Sequence, residues 1–231
     1  MLPLKDTIPS RSFPAVNWLI IAVNLAVFIY ETSLGPRQLE GLVGNFGVIP
    51  ADLLSGAPQE FVTLFTSMFL HGGWLHVISN LWALFIFGDN VEDRMGSGRY
   101  LVFYLLAGLV GGLTQVFVGP TSTVPAIGAS GAIAGVLGAY LVLFPTARVI
   151  TLIPFFFLPW FVEIPAIIYL AFWGITQFYQ GVASLAMPAA QSGVAYWAHV
   201  GGFATGLLLV WLFARRPRAF VRRYDDEFAP W

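Results

Sequence analysis

The sequence contains no cysteine. No disulfide can staple the fold, no thiolate can hold a metal, and cysteine usage says nothing about compartment. Charge is nearly as scarce. Asp, Glu, Lys and Arg make up 10% of the 231 residues, where a soluble domain carries about 25%. The formal net charge is −1, which offers no basic surface to nucleic acid. Histidine occurs only at His71, His76 and His199. Their companions are serine and asparagine, which suit neither haem nor metal ligation, so no cofactor and no metal are expected. A proton-coupled transporter or channel needs paired carboxylates or broken helices at mid-membrane depth, or an inverted repeat, and neither pattern is visible.

What the chain has is apolar length. Hydrophobic residues make up 58% of it, and several runs approach or exceed the length that crosses a bilayer. The expected fold is all-α, a polytopic membrane protein with six transmembrane helices in one compact domain. The spans read as 15–32, 75–87 (with an earlier start open), 100–118, 127–144, 161–179 and 195–213. The first run lacks a small-x-small cleavage site and is not read as a signal peptide. Asn17 and Asn24 within it are expected to hydrogen-bond to neighbouring helices, because an unpaired amide in lipid is costly. Residues 1–14 read as a short, loosely ordered tail and 215–231 as a basic tail. The connection 33–70 is far longer than an ordinary loop. It is rich in Leu, Val and Phe, and is expected to be partly structured at one membrane interface.

Orientation follows from Lys and Arg. With six spans both tails share a side. Lys5, Arg11, Arg94, Arg99, Arg148, Arg215, Arg216, Arg218, Arg222 and Arg223 fall there, and only Arg37 falls opposite. Both termini are therefore expected to be cytoplasmic, with the connections 33–70, 119–126 and 180–194 facing outward.

Three segments carry the chemistry. Ser130 lies among small residues in Gly128-Ala-Ser-Gly131, 18 positions before Arg148, and His199 lies 16 before Arg215. At the helical rise these are about 27 Å and 24 Å above the cytoplasmic ends, near the outer surface. His76, 18 before Arg94, reaches a similar level, and Asn80 is one turn deeper. His199, Gly202 and Gly206 share one helix face, and Gly131, Gly135 and Gly138 line the helix of Ser130. Two glycine faces let backbones approach, which is what a serine oxygen and an imidazole need to reach hydrogen-bond distance. His76 and Asn80 are i, i+4 neighbours whose N–H groups suit a developing oxyanion, and the free backbone N–H groups at Ser130 add to them. Each of these residues alone is compatible with helix packing; the common depth argues for a site. No acid falls at that depth beside His199, and Glu163 is placed on the cytoplasmic half of the fifth span. The expected arrangement is a Ser–His dyad. The soluble nucleophile elbow G-x-S-x-G is not matched, since position 132 is Ala.

Together Gly128-Ala-Ser130-Gly131, His76-xxx-Asn80 and Ala198-His199-xx-Gly202-xxx-Gly206 resemble the rhomboid intramembrane serine proteases, as does Glu92-Asp-Arg94-Met-Gly96-Ser-Gly98. The resemblance covers residues 14–213. It implies a protease domain over 15–214, with the 33–70 outer loop embedded in the membrane. Ser130 would be nucleophile and His199 general base and acid, with His76, Asn80 and the Gly128–Ser130 backbone at the oxyanion. Gly131, Gly135, Gly202 and Gly206 would pack the helices. The implied partners are single-span transmembrane protein substrates and the lipid bilayer, with no cofactor; a catalytically inactive rhomboid-like chaperone is the alternative. With no organelle-targeting pattern visible, a bacterial plasma (inner) membrane is the expected location. The fifth span and the 180–194 loop would gate substrate entry. The chain departs from some members at Ser79, bulkier there, and at Ala134, where they carry an aromatic that packs on the histidine; what orients the His199 ring stays open, as does the oligomeric state.

Overall fold

The computed structural model describes residues 2–155, 158–186 and 193–215. Residues 187–192 of the expected 180–194 loop, and Arg216, Arg218, Arg222 and Arg223 of the basic tail, lie outside the described residues. The fold is mostly helical. In chain order it comprises β1 (Leu2–Asp6), α1 (Ala15–Ser33), α2 (Pro36–Phe46), α3 (Pro50–Leu54), α4 (Glu60–Thr66), α5 (Trp74–Ala83), α6 (Asp89–Met95), α7 (Ser97–Val118) and α8 (Ser130–Leu143). These are followed by β2 (Arg148–Phe155), β3 (Leu158–Pro165), α9 (Ala166–Ser184) and α10 (Tyr196–Phe213). A π-helical stretch, Leu84–Gly88, joins α5 to α6 into one continuous rod.

By length and composition α1, α7 and α10 can each cross a membrane. The pair Glu60–Phe69 and Trp74–Met95, bent by 81° at Gly72-Gly73, adds a fourth if it acts as one span. The fourth expected span, 127–144, is shorter than its sequence suggests. Helix α8 has 14 residues, because Gly128 turns the chain with φ +129° just before it.

The expectation of an all-α fold is corrected by a three-stranded antiparallel sheet in the order β1-β2-β3. The run RVITLIPF is rich in β-branched residues, and prolines exclude a helix interior there. Pro154 pairs with Pro159 beyond Leu152, where the β1 pairing stops. The missing N–H groups therefore cost little ladder. Two further corrections follow. The helix of the fifth expected span, α9, begins after Pro165, so Glu163 lies on an exposed strand, with Arg148 at 3.5 Å across the hairpin, and not in a span. The N-terminal segment is ordered. Leu2–Asp6 pairs with β2, and the Ser12 hydroxyl donates to the Asp93 carboxylate.

Helix α8 is the centre. Ten consecutive residues, Gly131–Tyr140, are buried. A helix enclosed on all sides has no amphipathic stripe, which is why Gly131–Ala139 is made only of glycine, alanine and aliphatic residues. Helices α7 and α10 pack against it, α10 parallel and α7 antiparallel. A Cβ at Gly202 would collide with the Gly131 carbonyl, and one at Gly206 would lie 2.8 Å from the Ala139 nitrogen. These backbones touch directly, and only hydrogen fits between them. Asn17 bridges as expected, donating to the Leu84 carbonyl at 2.9 Å and accepting from the Tyr100 hydroxyl at 2.8 Å. Asn24 instead donates to Ile20 of its own helix, at 2.8 Å.

The connection 33–70 is built from α2, α3, α4 and a 3-10 turn. A backbone bridge from Val48 to Ala126 ties it to the segment before α8. At the opposite end, Arg215 N–H donates to the Arg94 carbonyl at 2.8 Å, and Lys5 pairs with Ile150 beside Arg148. The cationic residues of the described chain other than Arg37 thus gather at the end away from Ser130.

Candidate active site

Ser130 opens α8 and His199 lies in the first turn of α10. Because the two helices run parallel at glycine distance, their first turns are level. His199 Nε2 is 2.7 Å from Ser130 Oγ, and the histidine is only 9% exposed.

His76 comes from α5 and meets the turn before Ser130. A Cβ at Gly128 would lie 2.7 Å from both Cε1 and Nε2 of the His76 ring. Only glycine tolerates this contact and the positive φ together. Gly128 N–H is fixed by the Ser67 carbonyl at 2.8 Å. The other ring nitrogen of His76, Nδ1, accepts from Gly72 N–H at 3.3 Å. An accepting Nδ1 leaves the proton on Nε2, so this edge presents a donor toward the Gly128–Ser130 turn. Asn80, one turn further along α5, is 6% exposed, and its Nδ2 is buried without a partner among the described residues. Ser79 is exposed and its hydroxyl is turned back to the His76 carbonyl at 3.0 Å. His71 is buried 5.1 Å from His76, ring to ring. Its backbone N–H donates to Glu31 at 3.1 Å, which accounts for that buried carboxylate.

Behind Ser130 lies a small cavity of about 30 Å³, lined in part by Ser67, Gln115, Gly128 and Ala198. It is large enough for a water molecule, and the Gln115 side-chain oxygen there is buried without a partner among the described residues.

The sequence places a fifth span over α9 but does not mark the side chains that α9 brings to the site. Gln177 Oε1 is 2.8 Å from His199 Nδ1. Trp173, one turn earlier, lays its ring beside the imidazole at 5.9 Å between centroids and 33° between planes. Tyr196 meets the ring edge-on at 6.3 Å. Ala134 is fully buried 3.4 Å from a Cβ built at Gly202. An aromatic at 134 would therefore push α10 away, and the ring packing comes from Trp173 instead. The available signal was Trp173 and Gln177 at i, i+4 in an otherwise apolar helix.

Residues 58–216 match the Rhomboid domain family. The chain belongs to the rhomboid family. It is 39% identical over 129 residues to Rhomboid protease GluP of Bacillus subtilis, 55% of this chain and 24% of that relative. It is 34% identical over 136 residues to the Putative rhomboid protease YdcA of the same species, 57% of this chain and 63% of that relative. With Rhomboid protein 1, mitochondrial, of Saccharomyces cerevisiae it shares 28% identity over 208 residues, 86% of this chain and 53% of that relative. The matches thus span less than two thirds of these three relatives. This rhomboid is a membrane protein with apolar helices of spanning length, from a family that includes proteases.

Proposed function

We propose that this rhomboid is an intramembrane serine endopeptidase that cleaves single-span transmembrane proteins. The observation that carries the reading is the 2.7 Å approach of His199 Nε2 to Ser130 Oγ. In this reading Ser130 Oγ attacks the scissile carbonyl carbon while His199 Nε2 takes the hydroxyl proton. The same nitrogen returns it to the departing amine. Water then opens the acyl-enzyme, and the cavity behind Ser130 is a place from which it can come. The His76 Nε2–H, the Asn80 amide and the Ser130 backbone N–H are the donors for the oxyanion, while the Gly128 N–H, held by the Ser67 carbonyl, fixes the turn. No cofactor enters the reaction.

The six-span reading needs α8 and α9 to cross with α1, α5–α6, α7 and α10. The cationic end then faces the cytoplasm of a plasma membrane with both termini there, supported by the cluster of Lys5, Arg94, Arg99, Arg148 and Arg215. A 14-residue helix rises about 21 Å, and the hydrocarbon core is about 30 Å thick. Ser130 is then sunk roughly 10 Å below the outer face, deeper than its spacing from Arg148 suggests, in a site that must open to water from outside.

The test is cleavage of a fluorescently tagged single-span substrate in detergent or liposomes by wild type, Ser130→Ala and His199→Ala. Wild type should cut and both variants should be silent. Cutting by Ser130→Ala would overturn the assignment of the nucleophile. If nothing cuts, a fluorophosphonate probe decides: labelling at Ser130 indicates a wrong substrate, and no labelling favours an inactive rhomboid-like binder or chaperone.

A further inference from the structure

We infer that Gln177 of α9 is the positioning residue of the site, fixing the His199 tautomer and ring orientation so that Nε2 is free to take the Ser130 proton; the inference rests on the protease reading above. Gln177 Oε1 lies 2.8 Å from His199 Nδ1, and Nε2 lies 2.7 Å from Ser130 Oγ. An amide oxygen can only accept, so the proton sits on Nδ1 and the lone pair on Nε2. With the amide turned over, its NH₂ would donate to Nδ1, the proton would move to Nε2, and the ring would have no basic nitrogen facing serine.

Three observations support the assignment. Trp173 and Gln177 are one turn apart on α9 and reach the same imidazole, one at its face and one at its edge. The buried carboxylates are engaged elsewhere: Glu31 accepts from the His71 backbone and Glu92 from the start of α1. A neutral amide also suits the setting. It orients the ring without the desolvation cost that a buried carboxylate carries at the same place.

The placement has a consequence. Helix α9 buries only Ala166, Leu170 and Gly181 among its 19 residues, whereas α8 and α10 are locked by direct backbone contact. Serine and histidine therefore stand on the rigid pair, and the group that orients the histidine stands on the most thinly held neighbour. The base is fully prepared only while α9 is seated.

The experiment compares wild type, Gln177→Leu and Gln177→Glu as full chains in detergent. It measures kcat, KM, the pH–rate profile, fluorophosphonate labelling and melting temperature. Gln177→Leu should lower kcat on the order of 10- to 100-fold with KM within about twofold, because part of the general-base contribution is lost. Gln177→Glu, which can only accept, should restore most of kcat. It should also move the acid side of the pH–rate profile to higher pH, since a carboxylate stabilises the imidazolium. If Gln177→Leu does not fold, the displaced profile of Gln177→Glu still decides, and an unmoved profile overturns the inference. Wild-type kcat in Gln177→Leu overturns it, as does an equal loss in both variants or a change in KM alone. Wild type that neither cuts nor takes up the probe overturns the protease reading and this inference with it.

Discussion

The Glu92 carboxylate accepts the Asn17 backbone N–H at 2.7 Å. It also accepts Val16 N–H at 3.2 Å and the Ser97 hydroxyl at 2.6 Å. One side chain, 2% exposed, thus caps α1 from outside it and ties α1 to the start of α7. The residue before α1 is Pro14, which makes no side-chain cap, so the orphan N–H groups of the first turn depend on Glu92. Glu92→Ala should cost about 2–3 kcal/mol, as a charge-assisted bond lost with donors left unpaired. Glu92→Gln should cost less, because one acceptor oxygen remains. Thermal unfolding in detergent checks both, and an unchanged melting temperature in Glu92→Ala would refute the role.

The close pair of α8 and α10 makes a second prediction. Any Cβ at Gly202 meets the Gly131 carbonyl, next to Ser130. Gly202→Ala must part the helices at the level of the site. The expected stability loss is about 1–3 kcal/mol. Activity should fall further than that suggests, on the order of 100-fold, because a displacement near 1 Å is enough to spoil the geometry of a proton transfer. Gly41→Ala on α2, where a Cβ meets nothing within 4 Å, is the matched control and should cut like wild type.

Much of this was legible in the sequence, for identifiable reasons. The first, third and sixth spans fall within a few residues of Ala15–Ser33, Ser97–Val118 and Tyr196–Phe213, because long apolar runs bounded by polar loops have one solution in a bilayer. The glycine spacing indicated which faces of α8 and α10 meet. What was not legible came from short apolar runs, where strand and helix look alike. β2 and β3 pair as antiparallel strands because Pro154 and Pro159 forbid a helix, and β1 finds its partner nearly 150 residues away, which no local pattern signals. Gln177 was missed because it stands near the end of an apolar run. An amide there reads as the edge of a span until α9 is placed beside His199.

Asn80 should separate activity from stability. Its Nδ2 is buried without a partner among the described residues, and an unsatisfied buried donor costs about 1–3 kcal/mol. On the proposed protease reading, this unpaired donor is one held ready for the oxyanion of the transition state. Asn80→Leu should therefore lower kcat on the order of 10²–10³-fold, the effect of removing one oxyanion donor, with KM little changed. Its melting temperature should equal or exceed that of wild type. Lower stability together with unchanged kcat would make Asn80 a packing residue instead.

A clamp joins the N-terminal strand to the C-terminal end of α8. Asp6 of β1 accepts from the Tyr140 hydroxyl and, at 3.0 Å, from Asn90 Nδ2, with the Asp89 carboxylate nearby. Burial raises the Asp6 carboxyl above its ordinary value of 3.8, and the Tyr140 hydrogen bond only partly opposes this. The folded chain thus holds this proton more tightly than the unfolded chain. The stability contributed by the protonated group is full below 3.8 and is lost as pH rises through the raised folded value. Asp6→Asn carries a neutral amide at every pH and keeps an oxygen for Tyr140. As pH rises above 3.8 and through the raised folded value, the melting temperature of wild type should therefore fall relative to Asp6→Asn. Asp6→Ala, which leaves the Tyr140 hydroxyl without its acceptor, should be less stable than Asp6→Asn throughout. Parallel melting curves for wild type and Asp6→Asn would mean that the carboxyl is solvated at the C-terminal end of α8. The hold of β1 on the bundle would then rest on its strand pairing with β2 and on the Trp82 indole N–H, which donates to the Pro3 carbonyl at 2.7 Å.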